Sequence, residues 1–127
     1  VTMTHLSFPC GVHAHVFVSW LHPFKEQKLV VIGSEGMAVF HDNLPWDSKL
    51  QHYPHKIHVG VDGVPVPSKA DVRNVSLVEE EPLKLECKHF IDCITSGDTP
   101  RTDGYEGLRV LRVLQTAQKS LDGEIEA

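Results

Sequence analysis

Apolar and polar positions alternate through the first half of the chain and then change period. Between Val12 and Trp20, the residues Val12, Ala14, Val16, Val18 and Trp20 fall on one face of an extended strand. His13, His15, Phe17 and Ser19 fall on the other. Residues 1–8 read as a strand leading into it. Phe8-Pro9-Cys10-Gly11 reads as the turn between them, because Pro9 presets its dihedral and Gly11 tolerates positive φ. Leu29–Ile32 and Met37–Phe40 are β-forming runs. Gly33-Ser34-Glu35-Gly36 joins them into a predicted hairpin. Residues 41–51 form a polar connection with one candidate for burial, Trp46. His52–Val61 predicts a further strand, and Asp62-Gly63 a turn. Two prolines confine Val64–Ser68 to an edge or a loop. Val72–Val78 closes the β region.

From Pro82 onward the spacing is helical. Leu83, Cys87, Phe90, Ile91 and Ile94 predict a helix over Pro82–Ser96, with Pro82 in its first turn and Gly97 as its C-terminal cap. The run Glu79-Glu80-Glu81 suits the positive end of that helix. Residues 97–102 read as a loop. Asp103 followed by Glu106 resembles a capping box. Leu108, Leu111, Leu114, Ala117 and Leu121 predict a second helix, stopped at Asp122-Gly123. Strands first and helices last predict an α+β fold. Its expected form is an open, mostly antiparallel sheet of about six strands with two C-terminal helices packed on one face. The face carrying His13, His15 and Phe17, or their opposites, then needs water or a partner surface.

Composition narrows the function classes. The chain has 127 residues, 41% hydrophobic and 23% charged, enough for one domain with a modest core. A net charge of −5 argues against nucleic acid, whose phosphates call for clustered Lys and Arg. No apolar run approaches the ~20 residues of a membrane span. The opening residues lack a basic leader with an apolar core and already read as strand. The chain is therefore expected to be a piece of a longer protein. Cys10, Cys87 and Cys93 are odd in number and form no CxxC, which fits reduced thiols in the cytoplasm.

Candidate chemistry is sparse. Nine histidines stand out. His13 and His15 share a strand face, and His52, His55 and His58 recur every third residue. Neither set has a carboxylate or thiolate at zinc-like spacing, so surface and interface histidines are expected rather than a metal site. A Ser19–His22 pair is only a loop neighbourhood. GxSxG, GxGxxG and GxxxxGK[ST] are all absent. The connection Ser19–Lys28, "SWLHPFKEQK", gathers Trp20, His22 and Lys25 between two stiff strands, either as packing and solvated charge or as ligand contacts.

Two segments, "HVFVSWLHPFKEQKLVVIGSEGMAVFHD" (15–42) and "EPLKLECKHFIDCITSGDTPRTDGYEGLRVLRVLQTAQKSL" (81–121), carry a resemblance. The chain resembles the C-terminal half of the Gfo/Idh/MocA oxidoreductases, relatives of glucose–fructose oxidoreductase and inositol dehydrogenase. The likeness is greatest to the branch that oxidises UDP-N-acetylglucosaminuronic acid at its 3-hydroxyl. The resemblance implies a two-domain parent. A separate N-terminal Rossmann domain would bind NAD or NADP, and residues 1–127 would form the substrate and oligomerisation domain. It also implies a homo-oligomer packed through the open sheet face and a sugar or sugar-nucleotide substrate. The family's acid/base Lys, in an "EKP"-type motif, and its helical His match nothing here. No catalytic and no cofactor-binding residue is therefore assigned, and the chain alone is expected to be inactive. The expected substrate contacts are Trp20, His22, Lys25 and Arg101. The rival expectation is a non-catalytic module that dimerises through its sheet.

Overall fold

The computed structural model describes residues 1–68 and 70–124. The fold is α+β, with open antiparallel sheets followed by two C-terminal helices. Eight strands are present among the described residues: β1 (Thr2–Ser7), β2 (His13–Val18), β3 (Lys28–Gly33), β4 (Gly36–His41), β5 (Leu50–Tyr53), β6 (Lys56–Val59), β7 (Pro65–Ser68) and β8 (Arg73–Asn74). Helices α1 (Pro82–Ser96) and α2 (Gly104–Leu121) follow. They fall into two units. One comprises Val1–Leu21 and the chain from Glu80 onward; the other is His22–Glu79.

The first unit contains the β1–β2 hairpin and both helices. Its hairpin register pairs His5 with His15 and Met3 with Phe17, and the Phe8–Gly11 turn is closed by the Gly11 amide on the Phe8 carbonyl at 2.9 Å. Both helices are held by local caps. The Glu81 carboxylate accepts the Lys84 amide at 2.8 Å, Pro82 follows, and Gly97 (φ 76°) returns its amide to the Cys93 carbonyl at 2.9 Å. At α2, Asp103 accepts the Glu106 amide at 2.8 Å. The Glu106 side chain does not complete the reciprocal half of a capping box, because it pairs with Arg109 one turn on.

The second unit is built on a four-stranded antiparallel sheet in the order β3-β4-β5-β8, beside a separate β6–β7 hairpin. The expected His52–Val61 strand is two strands. Pro54 interrupts it, since it has no amide to continue a ladder, so β5 ends at Tyr53 and β6 begins at Lys56. The expected Val72–Val78 strand is short: only Arg73 and Asn74 pair, with His52 and Gln51. Gly36 makes the tight β3–β4 corner possible. Its φ is 150°, and a Cβ there would lie 2.5 Å from the Tyr53 carbonyl oxygen, a backbone atom that cannot yield.

Little of this surface is covered. Among the described residues only Val39 (8%) and Cys93 (7%) are buried. The accessible surface is 11102 Å². Even two independent compact bodies sharing 14.2 kDa would expose only about 8,000 Å². In both units, side chains that the pattern assigns to a core stand open to solvent: Ile32, Leu83, Ile94 and Leu114 all exceed half exposure.

Two changes test the local architecture. Gly36→Ala forces both positive φ and a backbone clash, and is expected to destabilise the second unit by about 2 kcal/mol or more. Asp103→Ala removes a cap and is expected to cost about 1 kcal/mol. Chemical denaturation followed by circular dichroism measures both. A Gly36→Ala chain as stable as wild type contradicts the assigned corner.

Candidate functional site

The connection after Leu21 lies in the second unit, and its backbone is pinned from the far side of the β3–β4 hairpin. The Asn43 side-chain amide donates to the Lys25 carbonyl, and the Asp42 amide donates to the Gln27 carbonyl at 2.9 Å. The His22 ring lies 5.4 Å from the Phe24 ring at an interplanar angle of 32°. Lys25 is therefore presented by a held backbone, and its ammonium contributes to the field at Asp42.

Among the described residues, the least exposed lysine of an ion pair, Lys49, belongs to a cluster beside these anchors. Lys49 is only 14% exposed. Its Nζ donates to the Asp42 carbonyl at 2.7 Å and to Asp42 Oδ1 at 2.8 Å, and lies 4.7 Å from the centre of the half-buried Trp46 ring. The hydrogen bond from Lys49, and then its charge, hold the Asp42 carboxyl below its ordinary value; Lys25 and His41 add to this. Lys56 does the same to Glu35, the outer residue of the β3–β4 turn. Beside Asp42, the Nδ1 atom of His41 is buried and has no hydrogen-bond partner among the described residues.

Trp20 and Arg101 belong to the first unit. Trp20 lies beyond the end of β2 and is 96% exposed, so it is not a core residue. The Ser19 hydroxyl accepts the Leu21 amide at 3.1 Å. Arg101 is held through its backbone: its amide donates to His89 Nε2 at 3.1 Å, which leaves the guanidinium free of that duty. The same bond places the proton of a neutral His89 on Nδ1. Cys93 Sγ, one helical turn on, lies 3.7 and 3.8 Å from the two ring nitrogens. His89 thus ties the loop before α2 to α1, a role the sequence pattern did not assign to it. The contact of His89 with Cys93 stays within α1, at the i, i+4 spacing of neighbours on one helix face.

Also in the first unit, β1 and α2 border an open groove of about 850 Å³, lined by Thr4, Leu6, Arg112, Val113 and Ala117 among others. Arg112 is its one permanent cation. Along the same hairpin the rings of His5 and His15 lie 4.4 Å apart, and those of His5 and His13 5.7 Å apart. The Ser7 hydroxyl is 3.1 Å from His13 Nδ1. Among the described residues no group of three His, Cys, Asp or Glu side chains is arranged to hold a metal ion. No described helix is long and apolar enough to cross a membrane.

No family model, curated protein or solved structure matches this chain. The four expected contact residues are divided between the units: Trp20 and Arg101 in one, His22 and Lys25 in the other. The Trp46–Lys49–Asp42 cluster was not among them.

That cluster has a pH signature. Asp42 titrates lower in the folded chain than unfolded. Its pairing therefore stabilises the fold above the ordinary carboxylate pKa of about 4 and is lost as pH falls through the lowered folded value. Denaturation midpoints measured from pH 7 down to pH 2 are expected to decline with acidification. In Asp42→Asn that decline is expected to be shallower, and an unaltered slope in the variant removes Asp42 as its source.

Proposed function

We propose that this chain is the substrate and self-association domain of a two-domain NAD(P)-dependent oxidoreductase acting on a hydroxyl of a sugar or sugar nucleotide, and that it has no redox machinery of its own. The observation that carries this reading is the apolar surface left open in both units. Such surface belongs to a module that completes itself against other protein. The likeness of residues 15–42 and 81–121 to the C-terminal half of the Gfo/Idh/MocA oxidoreductases supplies the chemical class.

In that reading the nicotinamide cofactor is held by a Rossmann domain outside these 127 residues, and hydride passes between it and a sugar carbon. The contribution of this chain is positioning. Trp20 offers an exposed indole to stack on a ring. Lys25 and Arg101 offer cations to a carboxylate or phosphate. His22 offers a ring nitrogen to a hydroxyl. The Lys49–Asp42–Trp46 cluster keeps the Lys25 connection in place. In the parent, homo-oligomers form through the open sheet faces. Three thiols without a disulfide fit a cytoplasmic setting. The same open surface favours a second reading, an assembly module with no enzymatic parent, and the two part company at the substrate.

Calorimetry separates them. The 127-residue chain is expected to show no binding of NAD(H). In the parent enzyme, Trp20→Ala and Arg101→Ala are each expected to raise KM for the sugar substrate about tenfold, roughly 1.4 kcal/mol, with NAD(H) affinity unchanged. Tight nicotinamide binding by the chain alone refutes the division of labour. A parent with no nicotinamide site favours the assembly module.

A further inference from the structure

We propose that the outer edge of β3 is a self-recognition strand: two copies of the chain pair β3 with β3 antiparallel about a two-fold axis, joining their four-stranded sheets into one. In the 127-residue chain this edge contact takes the place of the face packing proposed for the two-domain parent, and it does not depend on the oxidoreductase reading.

The hydrogen-bond phase of the β3–β4 pair shows which backbone groups are available. The Asp42 amide donates to the Gln27 carbonyl, and the register runs Lys28↔His41 through Gly33↔Gly36. Hydrogen-bonded pairs alternate along an antiparallel ladder. Leu29, Val31 and Gly33 therefore spend their amides and carbonyls on β4. Lys28, Val30 and Ile32 direct theirs outward, where no described strand pairs with them.

The side chains along this edge do nothing to prevent pairing. Leu29, Val30, Val31 and Ile32 are 61, 42, 56 and 76% exposed. Natural sheet edges are blunted by charges, prolines or brevity, and the other edges of this unit are. β8, at the far side of the sheet, is two residues long and carries Arg73. β7 carries Pro65 and Pro67, and β6 carries Lys56. β3 has one charge, Lys28, at its end.

The strand is also complementary to itself. With the two-fold on Val30, the hydrogen-bonded pairs are Val30 with Val30 and Lys28 with Ile32. Leu29 then faces Val31 across a non-hydrogen-bonded pair. No like charges meet. Since β8 is blunted, each chain has one such edge in its sheet, so the contact closes as a dimer and does not propagate.

The test is the solution mass of the full chain, by light scattering after size exclusion, together with amide hydrogen exchange. Wild type is expected at twice 14.2 kDa, with the Val30 and Ile32 amides protected. Val30→Pro removes an outward amide without touching a bond to β4, which an edge position tolerates. It is expected to give a monomer with an unchanged circular dichroism spectrum, whereas Val30→Thr stays dimeric. A monomeric wild type overturns the proposal whatever its exchange shows. So does a dimer whose Val30 and Ile32 amides exchange freely, since association then runs through a face. A mass that climbs with concentration past two chains overturns the closed dimer.

Discussion

Everything in this molecule is conditioned by apolar surface that its own chain leaves uncovered. Burial of such surface is the main favourable contribution to folding, and among the described residues it reaches completion at only Val39 and Cys93. Units of this size are marginal even when well packed. What the chain does have is local: hairpin turns, helix caps and short-range ion pairs, each contributing about 1 kcal/mol or less. These devices fix the path of the chain and leave its faces and edges available.

That division between fixed path and open surface explains how the candidate contacts are presented. The Lys25 connection is anchored by backbone acceptors, Lys25 and Gln27, and by the turn at Asp42 and Asn43. Its side chains are left to solvent. Arg101 follows the same logic in the other unit, with its amide spent on His89 and its guanidinium not. A ligand contact built this way loses little backbone entropy on binding, because the backbone is already held. Lys49 works in the opposite sense. Its ammonium is committed to Asp42 and to the Trp46 face, and at 14% exposure it is a poor contact for a ligand.

The elements legible in the sequence were those decided by neighbours along the chain. Pro82, Gly97 and Asp103 marked the ends of both helices because caps are local. The β3–β4 hairpin was legible from its glycines. Pro54 was visible too, but it sits in a loosely alternating run, and the period outweighed the missing amide. The grouping of strands into separate sheets was not legible, since pairing depends on partners far apart in sequence. The two tryptophans divide on the same ground. Trp46 was legible as the one candidate for burial in its polar connection and is half-buried, with Lys49 over its ring. Trp20 ends an apolar stripe yet stands exposed, which the alternating pattern does not show. No periodicity names Lys49 as the partner, because that contact is made within a turn.

Uncovered surface also changes what stability means for this chain. Any partner that binds the folded form and not the unfolded one adds RT ln(1 + [L]/Kd) to its stability. For a chain with a small core, that addition is comparable with the intrinsic stability itself. A partner surface is then a component of the fold and not an ornament on it. Such a partner, whether a second copy or a neighbouring domain, would then set how much of the ordered state is populated. Under the proposed self-association, the same apolar residues would remain open in the free chain and be covered in the assembled one. Edge and face meet this demand differently. A strand edge offers directional backbone bonds whose register selects the partner, whereas a sheet face offers area that many surfaces could fill. If β3 pairs as proposed, selectivity would reside more in its backbone than in the side chains around it.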